Sequence, residues 1–188
     1  MINNPGLNKK DTKIERALIS VFDKNHILDF AKELVSHGVE ILSTGGTANT
    51  LREGNINVID VSDYTNFPEI MDGRVKTINP MIEGGILGLR DQHKDESIEY
   101  NIKWIDLVIC NLYPFQETIS KKECDLAMAL ENIDIGGPTM LRSAAKNLGW
   151  VTSVVDPEDY YLIMNELKKI ENEKIYTADF DLFSFTYN

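Results

Sequence analysis

Lys24, Arg74, Lys76, Arg142 and Lys146, with Tyr113 and Asp134, are the side chains whose types and spacing suit chemistry on an anionic substrate. Arg74 and Lys76 are two residues apart, so in an extended segment both point to one side and can meet one anionic group. A solvated basic loop is the other reading of that pair. Arg142 and Lys146 are four apart and share one face of a helix, where such pairs also serve simply as a solvated surface. The run Ser43-Thr44-Gly45-Gly46-Thr47 adds hydroxyls and two residues free to take positive φ, so backbone N–H groups can converge on a phosphate. A helix over Thr47 to Glu53 turns its positive dipole end toward the same spot. The run is neither a Walker loop nor a GxGxxG fingerprint, so any ligand need not be ATP or NAD, and a ligand-free strand-to-helix turn remains the alternative. Ile133-Asp134-Ile135-Gly136-Gly137-Pro138 predicts a second anion-friendly helix start, with Pro138 at the first helical position and Asp134 between two isoleucines. Tyr113 precedes Pro114 and is biased to extended geometry; a plain wall residue is its other reading.

The elements that must position these residues alternate. Ala17 to Val21 predicts a buried strand, and Ile27, Leu28, Ala31, Leu34 and Val35 fall on one face of a helix that Gly38 ends. A strand over Val39 to Leu42, the helix after Gly46 and a strand over Val58 to Val61 complete β-α-β-α-β, which favours a parallel sheet covered by helices. Right-handed crossovers then put Asp23-Lys24 and Ser43 to Thr47 along one edge, the expected site. Ser62 to Pro80 breaks the rhythm, with Asp63 to Pro68 loop-like, and long insertions of this kind are often functional. Further on, the pattern predicts a short strand over Ile86 to Leu89, a charged loop from Arg90 to Glu96 and a helix over Ile98 to Lys103. Next comes a strand over Ile105 to Cys110, from which Asn111 to Phe115 leaves at the expected edge. Helices over Asp125 to Asn132 and Pro138 to Asn147, a strand over Val151 to Val155 and a helix over Pro157 to Ile170 follow.

Thirty acidic against 19 basic residues leave 188 residues at a net charge of −11, which argues against duplex nucleic acid or an anionic membrane as partner. An acidic chain that gathers its cations at one sheet edge suits a phosphorylated metabolite. A hydrophobic content of 43% supports a folded core. Cys110, in an apolar run, and Cys124 read as reduced thiols, and no ligand cluster predicts a metal site. Residues 1–15 read as a flexible polar extension without the apolar core of a signal peptide, and 16–188 as a single domain. No stretch approaches a membrane span, so the cytoplasm is the expected compartment.

Seven blocks carry a resemblance: Ser-Thr-Gly-Gly-Thr-Ala (43 to 48), Asp-Val-Ser (60 to 62), Phe-Pro-Glu (67 to 69), Gly-Arg-Val-Lys-Thr (73 to 77), Cys-Asn-Leu-Tyr-Pro-Phe (110 to 115), Ile-Asp-Ile-Gly-Gly (133 to 137) and Leu-Arg-Ser-Ala-Ala-Lys-Asn (141 to 147). In this order they resemble the IMP cyclohydrolase domain, the N-terminal part of a bifunctional purine enzyme whose second part is AICAR transformylase. The similarity runs from about Arg16 to Tyr160. It implies a methylglyoxal-synthase-like fold, a three-layer, doubly wound α/β domain with a mainly parallel sheet, working as a homodimer. The reaction implied is dehydrative closure of formyl-AICAR (5-formamidoimidazole-4-carboxamide ribonucleotide) to IMP. Such chemistry asks for a proton shuttle and a fixed cation, and for no metal or other cofactor. By the match of motifs, Lys146 corresponds to the catalytic acid/base, while Lys76, Tyr113 and Asp134 hold the reacting groups and steer protons. The residues carried over for substrate binding are Asp23, Lys24, Thr44, Gly45, Gly46, Thr47, Arg74, Val75, Lys76, Thr77, Cys110, Asn111, Asp134 and Ile135, with the phosphate at Lys24 and the turn of Thr44 to Thr47.

The sequence departs from that pattern at Phe22, where a small serine is usual before Asp-Lys, and at Asn79, in place of a common histidine. Asp179 to Asn188 only loosely resembles the segment leading toward the transformylase, and no formyl transfer from folate is expected of these residues. Two rivals share the fold. Methylglyoxal synthase offers no counterpart to Leu141 through Asn147, and a non-catalytic effector-binding module keeps the phosphate pocket without needing Lys146 and Asp134.

Overall fold

Five strands, β1 (Arg16–Val21), β2 (Glu40–Ser43), β3 (Ile59–Asp60), β4 (Leu107–Asn111) and β5 (Thr152–Val154), form one all-parallel sheet in the order β3-β2-β1-β4-β5. The computed structural model describes residues 13–169. Its helices are α1 (Ile27–Ser36), α2 (Gly45–Glu53), α3 (Val61–Thr65), α4 (Pro80–Leu87), α5 (Lys94–Glu99), α6 (Phe115–Ile119), α7 (Leu126–Glu131), α8 (Gly136–Lys146) and α9 (Tyr160–Lys169).

The two-residue period of each strand sorts the core into two layers. Ala17, Ile19 and Val21, with Ile41, Leu107 and Ile109, pack under α1, α2 and α9, where the Phe30 ring stacks on Tyr160 at 4.5 Å. Leu18, Leu42, Val108 and Cys110 face the other way, against Ile82 and Ile86 of α4 and Met140, Leu141 and Ala144 of α8. The three-layer, doubly wound reading therefore holds. Sheet order reverses between β1 and β4, which pair from Ala17 with Leu107 to Val21 with Asn111. Loops leaving their C-terminal ends diverge and open a crevice there.

Several elements differ from the sequence reading. Ile86 to Leu89 is not a strand: Asn79 accepts a hydrogen bond from the Met81 amide at 2.9 Å, Pro80 starts α4, and Ile82 and Ile86 are one helical turn apart in the core. Asn79, one of the two departures from the resembled pattern, is thus the helix cap. The helix expected over Ile98 to Lys103 lies earlier, at α5, and part of the expected loop over Asp63 to Pro68 is α3. Helices α2 and α8 begin at Gly45 and Gly136, two residues before the expected starts, so Pro138 is not at the first helical position. Val35, expected on the buried face of α1, is exposed, and Phe30 takes that role. Of the extension expected over residues 1–15, 1–12 lie outside the described residues. Its last part belongs to the packed fold, since Ile14 is buried and the Glu15 amide donates to Asp106 Oδ2 at 2.7 Å. Ile170 and the segment Asp179 to Asn188 also lie outside the described residues.

Candidate active site

The crevice at the β1/β4 switch point is a cleft of about 590 Å³. Of the residues singled out in the sequence, Thr44, Arg74, Lys76, Thr77, Cys110, Asn111, Tyr113, Asp134 and Ile135 line it, together with Phe22, Gly73 and Met140. A smaller hollow of about 70 Å³ adjoins it, lined by Thr44, Gly45, Glu69 and Lys76 among others, so the α2 N-terminus and Lys76 border both.

Each side of the cleft is built by a short-range device. Asn111, at the end of β4, accepts from the Phe22 and Asp23 amides at 2.7 and 2.8 Å and donates to the Asp23 carbonyl at 2.9 Å. Its amide is therefore spent on holding the β1 exit turn in place. Thr47 holds the same turn from the other side: its buried hydroxyl accepts from the Val21 amide at 3.1 Å and donates to the Val21 carbonyl at 3.0 Å. That hydroxyl is engaged in the fold and does not point at a ligand. Thr47→Val should cost about 1–3 kcal/mol in urea unfolding, because both Val21 groups lose a buried partner, whereas Thr47→Ser should keep near wild-type stability. Lys24, in the same turn, is exposed and donates to the Phe22 carbonyl at 3.2 Å.

Opposite, Asp134 Oδ1 accepts from the Gly137 amide at 2.9 Å and so fixes the first turn of α8. A Cβ on Gly137 would lie 2.6 Å from Leu112 Cδ2 and 2.7 Å from Asp134 Oδ2, so only glycine lets α8 approach the end of β4 this closely. Cys110 Sγ lies beneath that contact. Burial first, and then the negative charge of Asp134, push its thiol up to about 12, so it stays protonated at neutral pH and is no nucleophile. Tyr113 packs edge-on against Phe22, ring centroids 4.6 Å apart. The departure at Phe22 thus places an aromatic wall behind Tyr113. Arg74 pairs with Glu131 of α7 at the exposed mouth, a contact that an anion can displace at little cost. Glu69, given no role in the sequence, pairs with Lys76 at 3.4 Å; its only sequence signal was its place in the Phe67-Pro68-Glu69 block.

Lys146 is not in this cleft. It lies at the C-terminal end of α8, about 15 Å along the helix from the end beside Asp134, and borders a separate open hollow with Leu87, Thr139, Arg142, Ser143 and Ala145. Asp23, Lys24, Gly46, Thr47 and Val75 do not line the cleft either, and Gly45 lines only the adjoining hollow.

The sequence of residues 26–139 matches the MGS-like domain family, and the chain belongs to that family. Within it, the chain is 55% identical over 158 residues to the bifunctional purine biosynthesis protein PurH of Magnetococcus marinus, covering 83% of this chain. The chain spans 30% of the length of that relative. Among solved structures, the crystal structure of ForH is similar at a TM-score of 0.75 and 36% identity, over 82% of this chain and 78% of ForH. Among the described residues, no helix is long and apolar enough to cross a membrane.

Proposed function

We infer that the chain is an IMP cyclohydrolase, closing formyl-AICAR to IMP. The similarity to PurH supports an enzyme of purine biosynthesis. One observation carries the finer reading: Lys76, Tyr113 and Asp134 come from loops far apart in sequence and reach one cleft. In the closure, the carboxamide nitrogen bonds to the formyl carbon and its proton passes to the formyl oxygen, where negative charge gathers; a second N–H proton follows as the C–O bond breaks and a C=N bond forms, and the oxygen leaves as water. A fixed ammonium at Lys76 answers that charge, and Tyr113 with Asp134 can pass the proton. The nucleotide phosphate is assigned to Lys24 and the N-terminal turn of α2, whose amides point outward.

On this reading Lys146, the acid/base by motif, comes from a second copy of the chain. Support comes from apolar residues at the cleft mouth: α7 buries none of its residues, Leu126 is 75% exposed, and Leu130, Ile133 and Ile135, which line the cleft, are exposed as well. Such a patch marks an interface. A cytoplasmic homodimer with composite sites is therefore part of the proposal. The distance of Lys146 from the cleft also favours a second reading, an effector-binding module that holds the nucleotide without turning it over.

Purified protein with formyl-AICAR, followed by ultraviolet absorbance as IMP forms, separates the two; binding of IMP without turnover would leave the second. Lys24→Ala should weaken IMP binding measured by calorimetry about tenfold, the loss of roughly one charge-assisted hydrogen bond, and slow bound-state turnover less. An unchanged dissociation constant would overturn the phosphate assignment.

A further inference from the structure

The segment from Glu69 to Lys76 takes an uncommon path. Met71, Asp72 and Gly73 have φ of 55°, 55° and 86°, three left-handed residues in a row. For Met71 and Asp72 this conformation costs about 1–2 kcal/mol each, so something must hold them there. The hold is an antiparallel bridge, with Ile70 and Val75 exchanging amide-to-carbonyl bonds at 3.2 and 3.4 Å, and inside it the Gly73 and Arg74 amides donate to the Ile70 and Met71 carbonyls at 3.2 and 3.1 Å. Flanking residues of such a bridge meet side by side, and those residues are Glu69 and Lys76, whose carboxylate and ammonium lie 3.4 Å apart. A Cβ on Gly73 would stand 2.5 Å from Glu69 Oε1 and 3.5 Å from Lys76 Nζ, so the pair is seated against a bare Cα. On its far side, Lys76 Nζ lies 3.7 Å from where a Cβ of Gly45 would be, against the first turn of α2.

That last contact is electrostatically awkward, because the N-terminus of a helix repels a cation. An anion beside the ammonium offsets that repulsion, and Glu69, 3.4 Å away, is the carboxylate that does so. The geometry points to Glu69 as a positioning residue for Lys76: it holds the ammonium at the border of the cleft, ready for the charge that gathers on the formyl oxygen. The inference rests on the cyclohydrolase reading for its catalytic consequence, though not for the pairing itself.

Glu69→Gln keeps the shape and removes the charge. Turnover number on formyl-AICAR should fall about tenfold, since a misplaced group costs rate steeply. IMP affinity should stay equal or rise, because a negative charge beside the α2 turn assigned to the phosphate is gone. Glu69→Asp, which keeps the charge on a shorter arm, should recover part of the rate. A merely structural role would instead lower rate and affinity together, with a lower melting temperature, and that pattern or an unchanged turnover number overturns the assignment. A second measurement needs no substrate. Amine labelling resolved by peptide mass spectrometry should speed up severalfold at Lys76 alone in Glu69→Gln, and an unchanged rate refutes the pairing. Wild-type protein that neither binds IMP nor closes formyl-AICAR would sink the cyclohydrolase reading, with the labelling still deciding the role of Glu69.

Discussion

Lys146→Ala is expected to lose about a thousandfold in turnover on formyl-AICAR, the upper part of what a general acid/base supplies, while IMP binding stays intact. Most of the groups proposed to bind the nucleotide line the β1/β4 crevice, and within one chain Lys146 lies at the other end of α8, on a hollow of its own. On the composite-site reading the second copy's Lys146 acts at the reacting end of the nucleotide, while Lys24 and the α2 turn take the phosphate, so loss of the amine should spare most of the binding. Turnover retained in this variant would end its catalytic role and with it the need for a second copy. A sharper test uses two dead chains. Lys146→Ala and Asp134→Asn, each inactive alone, should regain about a quarter of wild-type turnover when co-expressed, because half of randomly formed dimers are mixed and each carries one intact site. If the site were built within one chain, every site in the mixture would lack one group and the mixture would stay inactive. The outcome depends on which copy supplies the amine, and on little else.

Much of this arrangement is legible in the sequence because it follows from period and edge. Strand alternation in Ala17 to Val21 and the helical spacing of Ile27, Ala31 and Leu34 fix the layers, and the crossover rule brings Thr44, Asn111 and Tyr113 to one rim. What periodicity does not carry is where a polar side chain spends its hydrogen bonds. Thr47 and Asn111 look like ligand groups by type, yet their bonds go to Val21, Phe22 and Asp23. The short apolar run after Ile86 reads as a strand because four residues cannot distinguish the two periods; the cap at Asn79, seven residues upstream, decides it. Glu69 was invisible for a different reason. Its contact with Lys76 depends on left-handed residues at Met71 and Asp72, conformations that neither residue type announces.

The opposite end of the sheet gives the second large effect, on stability. Arg90 is nearly buried between Trp104 and Trp150, its Cζ 5.9 and 5.3 Å from their ring centroids, and donates to the carbonyls of Ile105 and Trp150. Its NH1 lies 2.7 Å from Asp106 Oδ1, and Asp106 Oδ2 accepts from the Glu15 and Arg16 amides at 2.7 Å each. Arg90→Met fills much the same apolar slot but strands a buried carboxylate, so at neutral pH it should cost about 3–5 kcal/mol in urea unfolding. The pH dependence follows from the direction of the Asp106 shift. Burial pushes its carboxyl above the ordinary 3.8, and Arg90 is the main influence pulling it back. A folded-state value above the unfolded one means that the folded chain holds a proton the unfolded chain has lost, so stability falls as pH rises through that window. Without Arg90 the window widens upward, and the deficit of Arg90→Met should shrink as the solution is acidified from neutral toward 3.8. A deficit independent of pH would mean that packing on the two tryptophans, and not the stranded charge, accounts for the loss. IMP binding by the folded fraction should be unaffected, because this network closes the N-terminal ends of β1 and β4 and the cleft opens at their C-terminal ends.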